Sequence, residues 1–286
     1  MTGGDRPDLT LIQLSDTHIV PEGQLMHRTV DTMANLVAAV ETVEASGIPV
    51  AAFVLSGDLT DSGRAGAYRR LRSVVEPAAA RMGAEVVYAT GNHDDRAAFR
   101  TELLDEAPSA ADYDVVRMIG GLRVVVLDST EPGRHEGHLS QSQLDWLAEV
   151  LAEPAPLGTL LVTHHPPLPS PVPTVHLLRM RRGGDGLAAV LAGSDVRMIV
   201  TGHAHHTGCG ALARIPVWVG PSTAYGVTVV PPEGRLRADA DAAFSRIDVF
   251  GDHLVATAVP MSRAASVYDV EEAERLGYVR EVVGSW

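Results

Sequence analysis

Five times along the 286-residue chain, a short apolar run ends in a cluster of Asp, Asn and His: Asp16-Thr17-His18, Gly57-Asp58-Leu59-Thr60-Asp61, Gly91-Asn92-His93-Asp94, His164-His165 and Gly202-His203-Ala204-His205. The runs before them, Leu9 to Leu14, Val50 to Leu55, Glu85 to Ala89, Thr159 to Val162 and Val196 to Val200, are rich in β-branched residues and read as buried strands. In an α/β sheet the carboxyl ends of the strands border a crevice, so residues far apart in sequence meet there. Taken singly, each fragment has a plain structural reading: Asp16 as a helix cap, Asn92 in a left-handed turn, His164 as a half-buried imidazole. Taken together, two carboxylates, one amide oxygen and four imidazoles at successive strand ends are costly to desolvate without cations. The joint pattern makes Asp16, His18, Asp58, Asn92, His164, His203 and His205 candidate metal ligands.

The spacing suits that reading. In Asp16-Thr17-His18 and His203-Ala204-His205, alternate residues of an extended segment point the same way, so both members of each pair would face one crevice. Glycines at 57, 91 and 202 would permit tight turns just before the ligands.

Between the strands lie stripes of helical period, Val30, Met33, Leu36, Val37, Val40 and Val43 in one and Leu144, Leu147, Val150 and Leu151 in another. Strands alternating with helices imply partly parallel pairing, while Val115 to Ile119 and Val124 to Leu127, joined through Gly120 and Gly121, read as a hairpin. After Gly202 the texture changes to short strand-like runs at Ile215 to Val219, Tyr225 to Val230, Ala243 to Val249 and Leu254 to Val259. This half is expected to form a second, largely antiparallel sheet packed on the first. The fold class is α/β (α+β): two packed mixed sheets flanked by helices, a four-layer αββα sandwich, with residues 1–286 as one domain. The Pro-rich stretch after His165, running on to Gly184, reads as a surface loop, either a substrate lid or an ordinary connection. Residues 268–286 read as a helical tail that docks on the core or on a second copy in a homodimer.

Charge and composition narrow the chemistry. The formal net charge is −13, and all 23 basic residues are Arg. Without Lys there is no Schiff-base amine and no phosphate-gripping P-loop Lys. The acidic balance argues against nucleic-acid polymers and anionic membranes, which call for a basic face. Cys209 stands alone, so no internal disulfide forms. Residues Met1 to Asp8 do not read as a signal peptide, and no uncharged apolar stretch reaches the roughly 18 residues of a membrane span. A cytoplasmic enzyme is the resulting expectation.

The five blocks, complete and in order from about Leu9 to Pro260, resemble those of the calcineurin-like metallophosphoesterases. More narrowly, Asn92-His93-Asp94-Asp95-Arg96, Leu104-Asp105-Glu106-Ala107-Pro108 and His164-His165-Pro166-Pro167 resemble the bacterial class III 3',5'-cyclic nucleotide phosphodiesterases. The resemblance implies two metal ions, an iron and manganese pair, with zinc, cobalt or two manganese ions as alternatives. It places Asp16, His18, Asp58 and His205 on one ion and Asn92, His164 and His203, with bridging Asp58, on the other. It implies attack by a metal-bridging hydroxide, with His93 as general acid and phosphate contact, Asn92 and His135 beside the substrate, and Asp61 orienting a ligand imidazole. Two divalent ions against two aspartates and one hydroxide leave a cage of about one net positive charge, which suits a monoanionic diester. The remaining histidines, His27, His138, His165, His176, His206 and His253, read as structural or surface residues.

Departures from the family patterns exclude some relatives. Ser62 stands where phosphoprotein phosphatases of this family carry Arg, and Asp94 replaces their Glu, so a clamp for phosphomonoesters is missing. Asp61 stands where purple acid phosphatases place a Tyr ligand. The expected reaction is hydrolysis of 3',5'-cyclic nucleotides, cyclic AMP before cyclic GMP, to 5'-monophosphates. The alternatives are a diesterase of the same fold acting on glycerophosphodiesters or 2',3'-cyclic nucleotides, and a non-catalytic metal-binding scaffold.

Overall fold

A computed structural model of the chain describes residues 6–262 and 266–283. In chain order its elements are β1 (Leu9–Leu14), α1 (Thr32–Ser46), β2 (Ala52–Ser56), α2 (Ala65–Met82), β3 (Glu85–Ala89), α3 (Arg96–Leu103), β4 (Val115–Ile119) and β5 (Leu122–Val126). There follow β6 (Gly137–His138), α4 (Gln141–Val150), β7 (Thr159–Val162), α5 (Pro173–Leu178), β8 (Met180–Arg182), α6 (Gly184–Leu191) and β9 (Val196–Thr201). The remainder is β10 (Gly208–Leu212), β11 (Ile215–Val219), β12 (Gly226–Val227), β13 (Ala238–Asp239), β14 (Ala243–Phe250), β15 (His253–Pro260) and α7 (Glu272–Val283).

Two mixed sheets carry the fold, one in the order β15-β14-β1-β2-β3 and the other β10-β11-β9-β7-β5-β4. In the first, β1, β2 and β3 are parallel, and β14 adds antiparallel to β1. In the second, β11, β9, β7 and β5 are parallel, with β10 and β4 antiparallel at the edges. Among the described residues the expected separate C-terminal sheet does not form. β14 and β15 extend the first sheet and β10 and β11 the second, because the free edges of β1 and β9 offer unpaired backbone that the late strands satisfy.

Period-2 alternation explains the layering. On β5, β7 and β9 the residues Val124, Val126, Leu160, Val162, Met198 and Val200 enter the core shared with the first sheet. Their neighbours Val125, Leu161 and Ile199 face the opposite way, against Leu144 and Leu147 of α4 and Leu187 and Leu191 of α6. Strands buried on both faces must be apolar at nearly every position, hence the continuous runs in the sequence. α1 and α2 cover the first sheet with Leu36, Val40, Tyr68, Leu71 and Val75. Asp31 caps α1 by accepting from the Ala34 amide, and Ser140 with Gln143 forms a capping box on α4.

Two expectations change in detail. Residues 166–184 are not a bare loop, since they contain α5 and β8. The C-terminal helix forms as α7 with every residue exposed, and residues 284–286 of the expected tail lie outside the described residues. No helix among the described residues is long and apolar enough to cross a membrane.

The second sheet is pinned at the end remote from the histidine clusters by Arg123. Its guanidinium donates to both oxygens of Asp195 at 2.8 Å, to Thr159 Oγ1 at 2.8 Å and to the Val150 carbonyl at 2.6 Å. Arg123 is 8% exposed, so removing its partner strands a buried charge. Asp195→Ala is expected to lower the free energy of urea unfolding by about 3–5 kcal/mol. A loss below about 1 kcal/mol would show the pair to be dispensable.

Candidate metal centre

Strand ends from both sheets meet where Gln13 stitches the sheets together. This buried side chain on β1 donates to Ser56 Oγ on β2 at 2.8 Å and to the Thr201 carbonyl on β9 at 2.9 Å. Beyond it β1, β2 and β3 deliver Asp16 with His18, Asp58, and Asn92, while β7 and β9 deliver His164 and His203 with His205. The chain turns there in an unusual way. Asp16, His18, Asp58, His203 and His205 all have positive φ, at 52°, 42°, 49°, 67° and 53°. The expectation that each pair projects from extended backbone is therefore corrected: left-handed backbone, costing about 1–2 kcal/mol per residue, aims these side chains inward. Hydrogen bonds fix the turns, with the Asp16 amide donating to the Gly57 carbonyl at 3.0 Å and the His18 amide to the Asp58 carbonyl at 2.9 Å.

The flanking glycines serve mainly close approach. A Cβ on Gly91 would stand 2.1 Å from the Asp58 amide nitrogen, and one on Gly202 would stand 1.9 Å from Ser15 Oγ and 2.5 Å from Asp16 Oδ2. Of the three glycines only Gly57, at φ 101°, occupies a left-handed turn. Here the loops interlock, and any side chain at 91 or 202 would push the carboxylates apart.

Inside the loops, the histidine tautomers follow from their backbone partners. A carbonyl only accepts, so His164 Nδ1 donates to Ser56 O at 2.9 Å and His205 Nδ1 donates to Tyr225 O at 3.1 Å. Both rings then turn Nε2 inward. His164 Nε2 lies 3.3 Å from Asp58 Oδ2 but out of line for a hydrogen bond, and it is buried without a partner, as is Asn92 Oδ1. His205 Nε2 lies 3.0 Å from His18 Nε2 and 3.3 Å from Asp16 Oδ1. Donors sharing one cation at about 2.0–2.2 Å stand roughly 3–3.5 Å apart, so this spacing and the unpartnered buried atoms fit cation ligation. Asp16 with His18 and His205, and Asp16 with Asp58 and His164, form groups able to hold an ion.

The electrostatics agree. Burial works to raise the carboxyls of Asp16 and Asp58, yet the surrounding imidazoles, His205 and His164 foremost, hold both well below the usual range. Burial also lowers His164, but Asp58 and Asp16 overcome it and carry the imidazole up to about 9, so a cation would take its place on Nε2 by displacing a proton. His203, whose amide donates to both oxygens of Asp16, is pushed down to about 3 by burial and by His164. Carboxylates kept ionised in a dry pocket form a strong trap for positive charge.

Asn92, His93, Asp61 and His135 border this pocket. The His93 amide donates to Asp58 Oδ1 at 2.8 Å, and its ring Nδ1 donates to the Asp61 carbonyl at 2.8 Å, leaving Nε2 toward the cleft. Burial works to lower His93, but Asp58 and Asp61 outweigh it and the net shift is upward. Asp61 Oδ1 lies 3.7 Å from both His18 Nδ1 and His93 Nδ1. His135 Nδ1 reaches within 3.3 Å of Asn92 Nδ2.

Sequence reasoning passed over two supporting groups. Asp94 accepts from the amides of Gly91 at 2.9 Å, Leu59 at 3.0 Å and Thr60 at 3.2 Å and from the Tyr68 hydroxyl at 2.9 Å, clamping the Asp58 and Asn92 loops together. Burial, reinforced by Asp58, raises this carboxyl to about 6. Its place three residues after Gly91 is a local signal for such a turn. Tyr225, whose carbonyl orients His205 and whose ring lies 4.3 Å from the His205 ring, has no comparable signal. The interlocking generates a test: Gly202→Ala is expected to cost about 1–3 kcal/mol in urea unfolding and to lower manganese retention on gel filtration. An unchanged unfolding midpoint with full metal retention would refute the close approach.

Comparison with known proteins places this geometry in context. The family model described as calcineurin-like phosphoesterase matches residues 9–207. A cAMP/cGMP dual specificity phosphodiesterase of Mycobacterium tuberculosis is 43% identical over 263 residues, covering 92% of this chain and 82% of its own. A Rhodococcus erythropolis protein named "probable cyclic nucleotide phosphodiesterase" is 41% identical over 270 residues, covering 94% and 89%. Among solved structures, a dimetal phosphatase from Danio rerio shares the fold, with a TM-score of 0.62 at 18% identity over 90% of this chain and 98% of its own. With the family model matched from β1 through the last histidine cluster, and relatives aligned over nine-tenths of its length, the chain belongs to the calcineurin-like phosphoesterase family.

Proposed function

We propose that this protein is a metal-dependent phosphodiesterase that hydrolyses 3',5'-cyclic nucleotides, cyclic AMP before cyclic GMP, to 5'-monophosphates. The observation that carries the reading is the ring of buried Asp, Asn and His side chains with His164 Nε2 and Asn92 Oδ1 left without partners, in a chain whose relatives bear cyclic nucleotide phosphodiesterase names. In this reading Asp16, His18, Asp58 and His205 hold one ion, and Asp58, Asn92, His164 and His203 hold the other. An iron and manganese pair is the expected content. Two divalent cations, when bound, supply Lewis acidity toward the phosphoryl oxygens and lower the pKa of water.

The chain's own residues do the rest. His164 and His205 are locked by Ser56 O and Tyr225 O so that each Nε2 faces inward without rotation. His93, braced through Nδ1 by the Asp61 carbonyl, offers Nε2 to the leaving 3' oxygen and gives it a proton. The upward shift of the His93 imidazole favours the protonated form that this role needs. Asp61, 3.7 Å from His18 and His93 alike, holds both rings in place by its charge. Asn92 and His135 meet at the rim, where a diester phosphate would be gripped.

Two outcomes follow. His93→Ala is expected to retain both metals and to slow cyclic AMP by about 10²–10⁴-fold, but an activated aryl diester far less; equal losses on both substrates would remove the proton-donor role. Chromatography of products from 3',5'-cyclic AMP, 2',3'-cyclic AMP and a glycerophosphodiester under one metal condition should show 5'-AMP as the fastest product. Inertness toward 3',5'-cyclic AMP, with turnover of either of the others, would assign the enzyme to that substrate instead.

A further inference from the structure

His165 is fully buried beside the cage, yet neither ring nitrogen is free to serve a cation. Nε2 lies 3.1 Å from the carbonyl of His135, and Nδ1 lies 2.8 Å from Ser129 Oγ. The carbonyl can only accept, so the ring proton sits on Nε2, and Nδ1 accepts from the Ser129 hydroxyl. That same Oγ accepts from the His165 amide at 3.1 Å, so every polar atom of the trio has a partner. The ring packs 4.5 Å from that of His203 and 5.0 Å from that of His164.

Ser129 and His135 stand at opposite ends of one loop. The His138 amide donates to the Ser129 carbonyl at 2.9 Å and closes the base, and the Gly137 amide donates to Arg179 O at 3.1 Å. The loop settles directly on the imidazole: a Cβ at Gly137 would stand 2.5 Å from His165 Cβ and 3.0 Å from Met180 Cα. On its outer side the loop carries the His135 ring to Asn92.

We propose that His165 is a positioning residue: it braces the loop of residues 129–138 from beneath and so sets where the His135 side chain stands over the metal cage. Because the grip is on the His135 backbone carbonyl, it survives truncation of the His135 side chain but fails when the ring of His165 loses its polar atoms. A histidine is suited here because one flat ring donates at one end, accepts at the other and still packs against two neighbouring imidazoles. The effect on turnover rests on the substrate-gripping role given to His135 above, whereas the brace itself does not.

The test uses full-length, metal-loaded protein with His165→Phe, which keeps a buried ring, and His165→Gln, which keeps an amide donor toward the carbonyl. Hydrogen exchange read by mass spectrometry is expected to rise about tenfold within residues 129–138 in His165→Phe, with metal content at the wild-type level. kcat/KM for cyclic AMP should fall about tenfold or more, with little further loss on adding His135→Ala, and His165→Gln should recover most of it. Unchanged exchange in the loop would overturn the brace, and so would metal loss with exchange rising across the whole chain. A loosened loop with undiminished turnover would uphold the brace and overturn the role of His135 instead. If His165→Phe does not fold, Ser129→Ala removes one end of the brace and carries the same readouts.

Discussion

The dry confinement of Asp16 and Asp58 governs the rest of this structure. Both carboxylates are almost wholly buried, and the imidazoles of His164 and His205 turn Nε2 toward them. Two negative charges in a pocket of low polarity strain any fold unless positive charge joins them. The local backbone bends to this requirement. Five residues of the pocket accept left-handed conformations, and glycines at 91 and 202 let the loops interlock. Parallel strands anchored in a double-sheet core supply the rigidity that such strained turns need.

Several arginines elsewhere in the molecule are committed to ion pairs. Arg96 pairs with Asp112 and Asp128, Arg100 with Glu106, Arg123 with Asp195, and Arg72 with Glu76 and Asp105. For a chain of net charge −13 that holds these guanidinium groups in structural pairs, the proposed function would draw affinity for an anionic ester from the cage. On that proposal the division accounts for how an acidic protein without Lys would accommodate a phosphate. It also explains why the supporting contacts are mostly backbone carbonyls and amides, which add orientation without adding net charge.

Much of this was legible in the sequence, for physical reasons that also mark where legibility ends. Parallel strands in the double-sheet core must be largely apolar, so β1, β3 and β7 stood out with their observed bounds, and the Asp, Asn and His clusters stood out at their ends. Pairing of the late strands was not readable, because which free edge β14 or β11 satisfies depends on contacts distant in sequence. α2 escaped notice because its buried face mixes Ala67, Ala78 and Ala79 with Tyr68, Leu71 and Val75 and it carries Pro77. The left-handed backbone at Asp16 and His203 was hidden too, since interlocking loops impose it against local preference. Asp94 and His165 were visible as motif members, but their roles lie in partners supplied by other loops.

The central claim is that this pocket exists to hold two cations, with Asp58 between them. Native mass spectrometry of the full chain, loaded with manganese and then desalted, reads that number directly. Two manganese ions per chain, falling to one or none in Asp58→Asn, is the expected result. A wild-type chain that emerges metal-free, or an Asp58→Asn chain that still carries both ions, would contradict the account.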